Sequence, residues 1–246
     1  MIQKTQAIIE ARMTSSRLPG KVMLPICSKP ELELLVERLR QCTLLDGIVI
    51  ATTTNATDDV IDELARRLRV GIFRGSEDDV LDRVLSAAQA TDTEVIVEVT
   101  GDCPLVDPDI LDELVAIYRR GEYDYVSNTL RRTFPRGLDV QIFSAVTLAD
   151  VARRTDDPVD HEHVSLYIYE HPELYRLFNL DSGLPEHQGD LRLTLDTEED
   201  YILIRRVFDA LYPANPAFRM KDVLSLLDRH PTWMEVNQHI KQKKVR

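Results

Sequence analysis

The residues best suited to chemistry stand in one run, Ala11-Arg12-Met13-Thr14-Ser15-Ser16-Arg17-Leu18-Pro19-Gly20-Lys21. It gathers Arg12, Arg17 and Lys21 around two serines and a threonine. Arginine forks match phosphate oxygens, and lysine adds a compact point charge. The chemistry is the cradling of a phosphate chain; a solvated basic loop is the alternative. The Gly-x-x-x-x-Gly-Lys frame of a P-loop is absent. A second candidate is Asp102, which follows Gly101 at the end of an apolar run. Glycine permits a sharp turn and the close approach of a ligand. A carboxylate beside a phosphate chain suits Mg²⁺, a hard ion that takes oxygen ligands and keeps waters. Asp107, by contrast, precedes Pro108 and reads as a helix cap.

These residues sit in an acidic chain. Thirty Lys and Arg against 42 Asp and Glu leave a formal charge of −12 over 246 residues. A general nucleic-acid or anionic-membrane binder would be basic, so neither partner is expected. Exposed charges fade over about 8 Å at physiological salt, so three local cations still outweigh distant acids. Cys27, Cys42 and Cys103 make neither a metal set nor a disulfide framework and suit a reducing cytoplasm. Ala7–Ile9 is soon broken by Glu10 and Arg12, and no apolar run approaches membrane-spanning length.

Positioning the loop and Asp102 requires strand ends. Gln6–Ala11, Gly47–Thr53, Val70–Phe73 and Glu94–Thr100 read as strands. Between them lie helical patterns: Glu31–Gln41 opened by Pro30, Asp58–Leu68 capped by Thr57, Asp78–Gln89 capped by Ser76, and Asp109–Arg120. The alternation predicts an α/β fold with a mostly parallel sheet covered by helices on both faces. Ligands in such a sheet lie outside the carboxyl ends of the strands. The second half is less regular. Tyr123–Ser127, Val140–Phe143 and Leu191–Leu195 read as strands, and Glu162–Glu170, Glu198–Leu211, Lys221–Arg229 and Trp233–Lys241 as helices. The chain reads as a single domain, 1–246, with a partly antiparallel subregion over 131–189. The basic tail, Lys241, Lys243, Lys244 and Arg246, reads as a solvated end.

The order Ala-Arg-x-x-Ser-x-Arg-Leu-Pro-x-Lys resembles the nucleotide-binding signature of the CMP-sugar synthetases, the cytidylyltransferases for acylneuraminate and 3-deoxy-manno-octulosonate. Within that superfamily the whole chain looks like the SpsF-like spore coat polysaccharide branch. The matching blocks are Ala11–Lys21, Ala51–Thr53, Arg74–Ser76, Asp79–Arg83 and Thr100–Leu105. They continue with Asp124–Asn128, Pro135–Val140, Glu162–Val164 and Thr194–Asp200. The resemblance implies a GT-A-like, Rossmann-type nucleotidyltransferase fold, Mg²⁺ as cofactor and a homodimer. It implies transfer of a nucleotide, CMP from CTP, to a sugar acceptor with release of pyrophosphate. Arg12, Lys21 and Asp102 are then the catalytic set. Ala11, Ser16 and Arg17 join Arg12 and Lys21 in holding the nucleotide. Thr52, Gly75 and Ser76, on the same rim, are candidates for the base and ribose. Asp196 matches the second metal-binding aspartate, with a cap for Glu198–Leu211 as its alternative. Three positions depart from the pattern: Glu10 stands for glutamine or proline, Ser28 for glycine and Thr100 for glutamine.

The acceptor side rests on charge. Arg131, Arg132, Arg136 and Arg192, with His161 and His163, surround one irregular segment, and predict an anionic sugar acid or sugar phosphate. Arg136 and Asp139 fall inside the Pro135–Val140 block, and Arg192 shares a strand face with Thr194 and Asp196. Arg136, Asp139, His161 and Arg192 are the acceptor candidates; a solvated rim is the alternative. His161 and His163, two apart, do not share a helix face, which argues against a zinc pair. Asp79, Asp82 and Arg83 read equally as a surface ion network. Two other functions fit the same residues: a glycosyltransferase using a nucleotide sugar, and a non-catalytic ligand-binding protein.

Overall fold

The computed structural model describes residues 3–242. The first half of the chain runs β1 (Thr5–Glu10), β2 (Pro25–Ile26), β3 (Lys29–Pro30), α1 (Glu31–Leu39), β4 (Gly47–Thr53), α2 (Asp59–Leu68), β5 (Gly71–Gly75), α3 (Val80–Ala90), β6 (Val95–Thr100) and α4 (Pro108–Tyr118). The second half runs β7 (Tyr125–Ser127), β8 (Gln141–Ser144), α5 (Ala145–Arg154), α6 (Pro158–Glu162), α7 (Leu166–Glu170), β9 (Leu177–Asn179), α8 (Glu186–Gly189), α9 (Glu198–Leu211) and α10 (Met220–Arg229). The main sheet has the order β5-β4-β1-β6-β8-β7-β9. β5, β4, β1 and β6 are parallel; β8 joins β6 antiparallel, and β7 and β9 extend that edge. The mostly parallel α/β expectation therefore holds.

Side-chain alternation sends the strands to two cores. Ala7 and Ile9 of β1 pack with α1, α2 and α4, while Ile8 packs with α3 and α5 on the other face. A third core joins Ile26, Leu193 and Leu195 to α9 and α10. Ile8 and Ile9 are fully enclosed. Truncating either to alanine would cost about 2–5 kcal/mol, so β1 is held firmly from both sides. Its carboxyl end is thereby a fixed platform: Glu10 lies level with Ala51 of β4 and Thr100 of β6.

Several elements differ from their sequence reading. Thr57 does not cap α2; a 3₁₀ turn, Ala56–Asp58, comes first and Asp58 holds the N-cap place. Asp79, not Ser76, caps α3 by accepting from Asp82 N–H at 2.8 Å. Glu162–Glu170 is two short helices, because Val164 adopts a φ of +42° and breaks the run. A β-branched residue there is strained, and its full burial holds it in place. Leu191–Leu195 is not a strand; a single bridge joins Arg192 to Arg136. Beyond α10, only the 3₁₀ turn Pro231–Val236 forms where a helix was expected. Lys243, Lys244 and Arg246 lie outside the described residues. The sequence reading lacked α5, whose Val146 and Thr147 weaken its helical signal. Its Ser144 cap, accepting from Thr147 N–H at 2.9 Å, was in plain view. No helix among the described residues is long and apolar enough to cross a membrane.

Candidate active site

The carboxyl ends of β1 and β6 open into a cavity of about 780 Å³. The Ala11–Lys21 loop leaves β1 there, and Gly101-Asp102 leaves β6 beside it. The two turns touch: Gly101 N–H donates to the Glu10 carbonyl at 2.8 Å. A Cβ on Gly101 would stand 2.8 Å from that same oxygen, so only glycine allows the approach. The loop is tied from below by Asp58, which accepts from Met13 N–H and from the hydroxyls of Thr52 and Thr53.

Lys21 is the centre of the site. Its Nζ lies 2.9 Å from Asp102 Oδ2 and 2.9 Å from Asp196 Oδ1. Burial alone would lower the Lys21 pKa, but the two carboxylates raise it, so the ammonium is secure. Burial would raise the Asp102 pKa; the Lys21 charge and the Thr100 hydroxyl hold it well below the usual carboxylate range. Asp196 is almost fully enclosed and is shared further. Arg17 Nη2 reaches its Oδ1 at 2.8 Å, and Arg192 Nη2 reaches its Oδ2 at 3.0 Å. Asp196 is not a cap: Thr197 and Asp200 form the capping box of α9.

The remaining sequence candidates divide. Ala11, Arg12, Ser16, Arg136 and Asp139 line the cavity with the Lys21 cluster. Arg12 is half-exposed and pairs with Glu77 at 3.3 Å. Asp139 is held by a two-pronged bond from Arg132, at 2.8 and 2.9 Å. Arg136 makes no side-chain hydrogen bond or ion pair among the described residues; burial, then the nearby Arg132, lowers its pKa. Gly137 turns this segment at a φ of +99°, and a Cβ there would strike the Leu193 carbonyl at 2.3 Å.

Five candidates do not line the cavity. Thr52 is fully buried and donates to Asp58. Gly75 packs on Arg83 and Phe73. Ser76 accepts from Asp79 N–H at 3.0 Å. His161 pairs with Asp79 at 2.8 Å and turns its other nitrogen to the Thr155 carbonyl at 3.0 Å. Arg192 has a side chain only 9% exposed and grips Asp196 and Asp200, so it positions Asp196.

Other residues take their places. Arg83 is not on the surface: it is 2% exposed, its Nε has no partner, and it lines the cavity. Its signal lay in the helix period, because residue 83 shares the apolar face of Val80, Val84 and Ala87. Glu10, Gln141, Glu162 and His163 also line the cavity.

The donor set can be tested for Mg²⁺. Asp102 and Asp196 converge on one cation position, now taken by Lys21 Nζ, and offer oxygen ligands only. Mg²⁺ is commonly held by one or two carboxylates completed by substrate phosphates and water, so the residues fit it. Among the described residues no group of three or more His, Cys, Asp and Glu side chains forms a metal cage.

Comparison with known proteins accords with this geometry. The family model described as "Cytidylyltransferase" matches residues 6–226. The chain is 36% identical to the spore coat polysaccharide biosynthesis protein SpsF of Bacillus subtilis, over 91% of this chain and 94% of that protein. The solved structure of a cytidylyltransferase from Leptospira borgpetersenii superposes with a TM-score of 0.90 at 33% identity, covering 98% of this chain and 100% of the other. A CMP:2-keto-3-deoxy-manno-octonic acid synthetase complexed with CTP shares the fold, with a TM-score of 0.64 at 16% identity, covering 85% of this chain and 99% of the other.

Proposed function

The chain belongs to the cytidylyltransferase family and is a nucleotidyltransferase; from that premise we propose that it transfers CMP from CTP to an anionic sugar derivative, with Mg²⁺ as cofactor. The observation that carries the reading is the Lys21 bridge between Asp102 and Asp196, set beside the Arg12–Arg17 loop in one cavity. Arg12, Arg17 and Lys21 bind the triphosphate. When Mg²⁺ is bound, it neutralises charge at the α-phosphate and the departing pyrophosphate. Asp102 and Asp196 are the residues that would hold it. Lys21 then exchanges its carboxylate partners for phosphate oxygens, keeping every charge paired. Arg136, without a bonding partner, takes the acceptor's carboxylate or phosphate and orients the attacking oxygen in line. The fork of Arg132 fixes Asp139 against the same wall.

The 131–189 subregion supplies the acceptor wall and a dimer contact in this reading, and the reaction takes place in the cytoplasm in precursor synthesis for a surface polysaccharide. The test is a pyrophosphate-release screen of four nucleoside triphosphates with Mg²⁺. Acceptors are sugar acids, sugar phosphates and their neutral alcohol analogues. Release with CTP and an acid, and not with the matching alcohol, is the expected result. Equal use of the alcohol would remove the anionic acceptor.

A further inference from the structure

Beyond the Lys21 cluster the cavity has an end of opposite character. Glu10, the last residue of β1, lines it, and Glu98 of β6 stands behind. On the β1–β6 ladder Glu98 is level with Ile8, so the two acids are diagonal neighbours on one face of the sheet, and burial raises the pKa of each. Each keeps an enclosed oxygen with no partner, Oε1 of Glu10 and Oε2 of Glu98. Neither forms an ion pair among the described residues. Arg83 approaches from α3 with its unpartnered Nε, 98% of the residue being buried. On the far side, Gln141 spends its Oε1 on the hydroxyls of Tyr125 and Ser165, at 2.6 and 2.9 Å. Two buried polar atoms on the cavity wall, Glu10 Oε1 and Arg83 Nε, and a third just behind it, Glu98 Oε2, therefore lack partners among the described residues. A buried polar atom left so is costly, and a bound ligand would recover that cost.

We propose that this end of the cavity is an amine site, in which Glu10 and Glu98 take the ammonium of an acceptor that carries an amino group beside a hydroxyl. The proposal rests on the anionic-acceptor reading above and adds a second charge to it. An ammonium brings three N–H donors and a positive charge, which would draw both acids to the ionised form that burial opposes. A hydroxyl would bring one donor and no charge. The neighbouring hydroxyl oxygen accepts from Arg83 Nε, completing the set. The acid at position 10 is one of the three departures from the resembling family, where glutamine or proline is expected. A glutamine there would donate its own amide N–H to Glu98 and leave no place for a cation. The cavity thus offers a cation at Arg136 and an acidic end at Glu10, which fits a zwitterionic amino sugar acid.

The experiment is a calorimetric titration with 3-deoxy-manno-octulosonate and with its 8-amino-8-deoxy analogue, acids that differ only in hydroxyl against amine. CTP is titrated alongside as the check on the nucleotide half. The wild-type protein is expected to bind the amino acid at least about tenfold more tightly. The isosteric variants Glu10→Gln and Glu98→Gln should each lose that preference. Equal or weaker binding of the amino member by wild type overturns the proposal and leaves the anionic-acceptor reading standing. A preference kept by both variants overturns it too, and makes the acid pair structural. Binding of neither acid, with CTP still bound, overturns both readings.

Discussion

The two ends of the cavity answer the same problem of buried charge in opposite ways. At the phosphate end, Asp102, Asp196, Lys21, Arg17 and Arg192 are joined in one network of bonds between 2.8 and 3.0 Å. At the other end, Glu10, Glu98 and Arg83 carry atoms without a partner among the described residues. A saturated network loses nothing while it waits, and it must exchange partners when a triphosphate arrives. An unsaturated end is already strained and gains only when occupied. The first arrangement suits the part of the reaction common to every cytidylyl transfer. The second suits the part that must choose one acceptor.

The sharpest test of the saturated end is Asp102→Asn. The change keeps size and removes the charge that Lys21 and a hard cation both need. Turnover should fall about a thousandfold or more, the scale of several kcal/mol of lost transition-state stabilisation. The thermal midpoint should move little, because Asp196 still pairs with Lys21. Pyrophosphate release and a melting curve check both halves. Undiminished turnover would take Asp102 out of the chemistry.

Lys21→Ala breaks the network at its centre. Losing a charged phosphate contact should cost about 1.5–3 kcal/mol, or about ten- to a hundredfold in CTP affinity. The geometry adds a stability loss, since two carboxylates are left facing each other without their shared cation. Mg²⁺ should therefore raise the midpoint of Lys21→Ala while leaving wild type nearly unmoved. The pH dependence follows in sign. Asp102 titrates below the ordinary aspartate value in the folded protein, so its pairing stabilises above that value and is lost as pH falls. Lys21→Ala should lack this acid-side loss. Melting curves from pH 2 to 7, with and without Mg²⁺, would settle it.

Arg136→Lys probes the junction between the two ends. It keeps the charge and loses the fork. The acceptor KM should rise, or kcat fall, about tenfold with CTP affinity unchanged. Loss of CTP affinity instead would place Arg136 in the saturated network.

The contrast also governs what the sequence reveals. The loop of the phosphate end is contiguous in sequence, and a run such as Arg12–Lys21 announces its chemistry by composition. The strands were legible because β1, β4 and β6 are buried apolar runs. The other end is assembled from Glu10, Arg83, Gln141 and Glu162, single residues on four elements, and no spacing links them. His161 drew notice by its type, yet the break at Val164 decides which residues face inward, and Glu162 and His163 do. Arg192 read as an acceptor contact because a strand was expected. Without the strand, it turns to Asp196 and Asp200 at spacings of four and eight.

The smallest effect concerns the one residue of the saturated end that breaks its rule. Glu31, first residue of α1, is fully buried, and neither of its carboxyl oxygens has a partner. A helix N-terminus favours a negative charge by a few tenths of a kcal/mol to about 1 kcal/mol. Burial outweighs that: it raises the Glu31 pKa well above the usual value, Lys21 lowers it and Asp102 raises it. Lys21 is already spent on two carboxylates, so a third has no claim on it. The sign is then fixed. An acid raised in the folded state contributes full stability below its ordinary value, and loses it as pH rises toward the folded value. Glu31→Gln removes that slope. The variant should be more stable than wild type at pH 8 by about 1 kcal/mol, a rise of roughly 2–4 °C in Tm. The two should converge near pH 4, where Glu31 is protonated in either state. Melting curves across that range decide the matter. A variant less stable than wild type at pH 8 would mean that the Glu31 carboxylate is ionised and belongs to the Lys21 network. The saturated end would then hold three acids on one lysine, and its difference from the Glu10 end would be one of degree.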